Sequence, residues 1–158
     1  MRMRTFGIVQ FFIFILIAEG YAWPKHLKTD DVINKLIEEA RSYTGVPYKW
    51  GGNTRSGIDC AGLTVQAYKA INIALYRTAD AQALQGENVT LEELKPGDLV
   101  FFTKEKNTKA VTHVGLVTEI RNGQAIFISA TRRGVEMGSL SEEHWRVLYW
   151  GARRIVKN

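Results

Sequence analysis

The sequence predicts an α+β domain. Its first half repeats apolar residues at helical spacing, and its second half changes to β-branched and aromatic runs. Between two of those runs, Asn122-Gly123 marks a tight hairpin. Helices followed by consecutive antiparallel strands define this class.

Residues 30–44 place Val32, Ile33, Leu36, Ile37 and Ala40 on one helical stripe. Thr29 or Asp30 caps its start, and Gly45 with Pro47 ends it. Residues 48–59 hold Gly51, Gly52, Asn53 and Gly57 and read as a loop. From Cys60 onward, Leu63, Thr64, Ala67, Tyr68 and Ile71 share one helical face with the cysteine. A short helical patch follows Thr78, Thr90 and Glu93 have capping-box spacing, and Lys95-Pro96-Gly97-Asp98 is turn chemistry. Strands are expected at 99–102, 113–120, 124–130 and near 147–154.

The 158 residues suffice for one domain, and 46% hydrophobic with 23% charged residues sets aside a disordered, collagen-like or coiled-coil chain. A net charge of +5 is too small and scattered for a nucleic-acid binder, although it favours an anionic polymer as neighbour. Arg2 and Arg4 precede an apolar stretch at 6–18, and Gly20-Tyr21-Ala22 offers small residues where a signal peptidase reads. We therefore expect a signal peptide at 1–22 and a mature domain at 23–158. The stretch is short against the ~20 residues of a spanning helix. Export to the periplasm or beyond, with no membrane anchor after cleavage, follows as an expectation.

Export changes the meaning of Cys60, the one cysteine in the chain. A lone cysteine forms no intrachain disulfide and no multi-thiolate zinc site. In an oxidising compartment it is either buried and inert or kept for its reactivity. The first turn of a helix favours a thiolate, through unpaired N–H groups and the helix dipole. Gly62 is expected to leave backbone open beside the sulfur for a substrate carbonyl. A nucleophilic cysteine needs a proton acceptor, and the candidates are His26, His113 and His144. His113 opens a strand, from which its ring can lie across a helix start; His26 sits beside the signal and His144 in a charged patch. No carboxylate–histidine cluster has metal-ligand spacing, and no cofactor is expected.

Four blocks occur in order: Tyr48-Lys49-Trp50-Gly51-Gly52, Asp59-Cys60-Ala61-Gly62-Leu63, the run from Leu94 through Pro96-Gly97-Asp98 to Phe102, and Thr112-His113-Val114-Gly115-Leu116. Together with Phe127-Ile128-Ser129-Ala130-Thr131 and Tyr149-Trp150-Gly151-Ala152-Arg153-Arg154, they resemble the NlpC/P60 family of papain-like cell-wall cysteine peptidases. The resemblance implies a helical amino-terminal part packed on an antiparallel sheet. It also implies hydrolysis of peptidoglycan stem peptides, commonly between D-glutamate and a diamino acid; no cofactor is needed, and a monomer is expected. In that pattern Cys60 matches the nucleophile and His113 the general base, while Tyr48 and Asp59 match positions lining the substrate site. The aspartate there holds the free amine of the stem peptide.

Two positions depart from the pattern. The third catalytic residue, usually a histidine that orients the base, is Ser129 here, whose hydroxyl is uncharged and short; Thr131 or a water could serve instead. Ala61 stands where serine usually follows the nucleophile. Arg77 and Gln82 resemble a region near the family's cleft and fit a solvated helix face equally well. Trp50 and Trp150 read as packing residues, and Arg132-Arg133 as a charged hairpin tip. The expected function is therefore an exported peptidoglycan peptidase. The alternatives are a non-catalytic or weakly active wall-peptide binder and, from the same Cys–His pair, an acyltransferase.

Overall fold

The structure, a computed structural model, describes residues 28–157. The expected signal segment at 1–22 and His26 lie outside the described residues. Helix α1 (Thr29–Arg41) leads, followed by a two-residue hairpin, β1 (Asn53–Thr54) with β2 (Gly57–Ile58), inside the expected loop. Helix α2 (Cys60–Lys69) and the single turn α3 (Ala79–Gln82) come next. The sheet strands are β3 (Glu87–Val89), β4 (Leu99–Thr103), β5 (Val111–Arg121), β6 (Gln124–Thr131), β7 (Gly134–Ser139) and β8 (Tyr149–Arg154), with α4 (Glu143–Leu148) before the last. Their order across the sheet is β3-β8-β4-β5-β6-β7, with antiparallel pairing throughout. This is the α+β architecture that the residue pattern predicts.

Local chemistry explains the elements. Asn122 and Gly123 both take positive φ, 50° and 74°, as a two-residue turn between β5 and β6 requires. Thr90 and Glu93 form their capping box around a short 3₁₀ turn. Pro96-Gly97 makes a turn with Gly97 at φ 94°, and the buried Tyr68 hydroxyl donates to the Gly97 carbonyl at 2.6 Å. Strand β4 is buried at all five residues because it has an apolar layer on each face. One layer joins Leu36 of α1 and Leu63 and Tyr68 of α2 to Leu99, Phe101, Val114, Leu116 and Ile128. The other holds Val100, Phe102, Val117, Phe127 and Leu140, with Trp145 of α4 packed against them.

Some expectations need correcting. Helix α1 begins after Lys28, and no side chain caps it, so neither Thr29 nor Asp30 is the cap. Residues 147–148 end α4 rather than beginning a strand. Strands β3 and β7 carried no strong strand signal. β7 contains Gly134, Gly138 and Glu136, and pairs only with β6 at the sheet edge.

Arg154 joins the last strand to the turn before β4. Its guanidinium donates to both oxygens of Asp98 at 2.8 Å, and Asp98 is 1% exposed. Removing one partner strands a buried charge. Arg154→Ala is expected to lower unfolding free energy by about 3 kcal/mol, read as a lower urea midpoint at unchanged m value.

Candidate active site

The site is organised around the Asp59 carboxylate. Asp59 is the N-cap of α2, with extended backbone, and its Oδ1 accepts from the Gly62 N–H at 2.6 Å. Oδ2 accepts from the Gly51 N–H at 2.9 Å. Arg77 closes on both oxygens, Nη1 on Oδ1 at 2.9 Å and Nη2 on Oδ2 at 2.8 Å, and Nη2 also donates to the Gly52 carbonyl at 3.0 Å. Four donors fill the carboxylate. Asp59 thus has no free acceptor for the substrate amine that the resemblance assigned to it. Its charge is balanced within the protein instead.

Gly62 is likewise not an opening for a substrate. A Cβ there would collide with the Gly52 carbonyl oxygen, so the missing side chain lets the Gly51-Gly52 loop seat against α2. Arg77 and Gln82 do not form a solvated face. Gln82 is fully buried; its Oε1 accepts from the Thr64 hydroxyl at 2.8 Å, and its amide donates to the carbonyls of Ala61 at 3.2 Å and Tyr76 at 2.8 Å. Together these two residues tie the segment before α3 to the start of α2.

Cys60 is the first residue of α2 and is 8% exposed. Burial pushes its thiol above the ordinary value, and the Asp59 charge adds to that. Backbone N–H groups of Val114, Ala61 and Cys60 itself pull in the opposite direction. The helix start was expected to produce a thiolate; desolvation outweighs it, and the resting group is the thiol. The Val114 contribution places the sulfur beside the residue that follows His113. His113 is also held neutral, with its pKa lowered to about 4 by burial first and by His144 second.

Cys60 and His113 line one cleft of about 700 Å³ with Tyr48, Trp50, Asp59 and Arg77. Asp80 and Lys104 also reach it. The Tyr48 hydroxyl is pushed up by burial and then by Cys60 and Asp59, so it stands near both, while Arg132 opposes the shift. Trp50 is 86% exposed at the rim, which corrects its reading as a packing residue. Trp150 does pack, edge-on to Phe101 at 6.4 Å. At the tip between β6 and β7, Arg133 pairs with Glu136.

Ser129 is buried on β6 and does not line the cleft. His113 Nε2 is buried without a hydrogen-bond partner, so the bond expected from the serine hydroxyl is not made. A hydroxyl on a one-carbon stem replaces a side chain that would carry a ring, and the reach is lost. The imidazole instead stacks on Trp145, with centroids 5.3 Å apart and planes 17° apart. Trp145 was not singled out in the sequence. The signal available was an aromatic residue in the charged 142–146 patch that has no apolar stripe of its own.

An amphipathic helix starting at a buried cysteine, packed on an antiparallel sheet that supplies a histidine to the same cleft, defines a papain-like α+β cysteine-hydrolase architecture. The NlpC/P60 family model matches residues 45–154, and the chain belongs to that family. It is 38% identical over 125 residues to "Probable endopeptidase NlpC" of Escherichia coli, covering 78% of this chain and 79% of that protein. It is also 38% identical over 122 residues to "Gamma-DL-glutamyl hydrolase" of Bacillus subtilis, covering 75% of this chain but only 28% of that longer protein. Among solved structures, an NlpC/P60 family protein from Bacillus cereus superposes with a TM-score of 0.72 at 31% identity, over 79% of this chain and 40% of the other.

The neutral His113 has a consequence for stability. Its folded pKa of about 4 lies below the ordinary 6.5, so the unfolded chain binds the proton more readily. That stability is complete above pH 6.5 and declines as pH falls from 6.5 towards 4, by up to about 3 kcal/mol. Thermal melts across that interval should show the decline in the wild type and a shallower one in His113→Phe. Equal slopes would contradict a buried neutral imidazole.

Proposed function

We propose that this chain is an exported cysteine peptidase that hydrolyses stem peptides of peptidoglycan at the D-glutamate to diamino acid bond. The observation that carries this reading is that Cys60 and His113 share one cleft, with the Val114 N–H beside the sulfur. The named relatives, an endopeptidase and a γ-glutamyl hydrolase, support the substrate class.

In the resting site both reacting groups are neutral, so proton transfer accompanies attack. The Cys60 thiol passes its proton to His113 while sulfur bonds to the scissile carbonyl carbon. The oxyanion is received by backbone N–H groups at the start of α2, that of Cys60 among them. As the C–N bond breaks, the imidazolium returns the proton to the leaving amine. Water, deprotonated by His113, then splits the thioester to a carboxylic acid and restores the thiol. Tyr48, near Cys60 and Asp59, lines the acyl side. Asp59 acts by holding the helix start in place, since its oxygens are already occupied.

Mass spectrometry of muropeptides after digestion tests this. Product is expected from the wild type and none from Cys60→Ala. Ser129→His, which offers the unpartnered imidazole nitrogen a ring to bond, should preserve or raise turnover. Binding of stem peptides without product would favour the binder, and acyl transfer to an added amine in preference to water the transferase. Complete loss of turnover in Ser129→His would show a separate role for the serine.

A further inference from the structure

We propose that Trp145 is the positioning residue for His113, the face of its indole setting the imidazole plane in place of a polar partner on β6. The inference rests on His113 being the base of the reaction above and adds how that base is held.

Two facts meet at this ring. Nε2 is buried and unpartnered, so no hydrogen bond at that nitrogen fixes rotation about the Cβ–Cγ bond. Yet the ring lies nearly parallel to the indole, 5.3 Å away and tilted by 17°. The ring centroid of Phe102, the β4 residue paired with His113, lies 5.9 Å from that of the imidazole and 4.8 Å from that of the indole. Phe127 meets the indole edge-on at 5.2 Å. A Cβ at Gly138 would come within 3.0 Å of the indole Nε1, so that glycine leaves room for Trp145 to sit where it does. The indole is therefore gripped by residues of β4, β6 and β7 and presents one fixed face to the base.

Stacking restricts the imidazole to one plane while leaving the opposite edge free towards the cleft. Nε2 itself is buried, in accord with the lowered pKa of the ring. The titratable and charged groups around His113 are His144 on α4, Cys60 on α2, and Asp80 and Lys104 along the shared cleft. Of these, His144 opposes protonation of the ring, after burial itself.

The test compares wild type with Trp145→Leu and Trp145→Phe in the full chain. It reads the NMR titration of the His113 imidazole together with kcat and KM on a stem peptide. In the wild type the ring should titrate near 4. Trp145→Leu should move the titration up towards 6.5 and lower kcat by about 10²-fold, with KM within about threefold. Trp145→Phe keeps a smaller aromatic face and should show the same two changes at reduced size, which covers the case in which the leucine variant does not fold. Adding Ser129→His should recover most of the lost kcat by supplying a hydrogen bond in place of the stack.

A folded variant whose His113 titrates as in the wild type would overturn the proposal. So would a loss of kcat that the second substitution does not repair. The titration needs no turnover. A shifted titration in a protein that cleaves no stem peptide would therefore sustain the stacking and defeat the peptidase reading.

Discussion

A single buried carboxylate with all its acceptor sites filled holds this site together. Asp59 receives the Gly62 N–H from α2, the Gly51 N–H from the preceding loop and two donors from Arg77, which lies beyond the far end of α2. Three segments that are separate in the chain are thereby drawn to one point, and Cys60 is the next residue. Removing the carboxylate would leave the helix start, the loop and the guanidinium without their common partner. Burial makes this an interaction of consequence, since an exposed pair of the same kind contributes little.

That arrangement also decides the electrical character of the cleft. With Arg77 balancing Asp59, the sulfur sits beside a near-neutral pair rather than an open negative charge. Even so, burial dominates, and both thiol and imidazole rest uncharged. A protonated, buried thiol is slow to be oxidised, because the thiolate is the reactive form. The orientation of the His113 ring is then a matter of packing. The sheet face opposite α2 carries the aromatic group of Phe102, Phe127 and Trp145, and His113 lies against it.

Much of this was readable in advance, and the parts that were not share a physical origin. The helix beginning at Cys60 was visible because a glycine-rich polar stretch gives way there to an amphipathic one. The Asn122-Gly123 hairpin and the Thr90–Glu93 box were visible because each depends on residues a few positions apart. The cysteine and histidine could be paired by their family-like blocks. Arg77 on Asp59, by contrast, spans 18 residues of sequence, and nothing local reveals it. Trp145 reaches His113 only because α4 folds back over the sheet. The helix end that favours a thiolate at Cys60 is a local feature, whereas the desolvation that pushes its thiol up depends on everything packed around the sulfur. Ser129 was placed correctly on β6, but its failure to reach His113 is a question of distance, which sequence does not carry.

The central claim is that the Asp59–Arg77 pair fixes the start of α2 around Cys60 and tempers the negative charge beside a sulfur whose thiol burial pushes up. Its most direct measurement is the rate of Cys60 alkylation by iodoacetamide as a function of pH, in the wild type and in Arg77→Gln. The wild type should show an inflection above the ordinary thiol value, and Arg77→Gln, with the Asp59 charge unbalanced, should move it higher still and slow modification at neutral pH. An inflection well below the ordinary thiol value in the wild type, or identical profiles for the two proteins, would contradict the account.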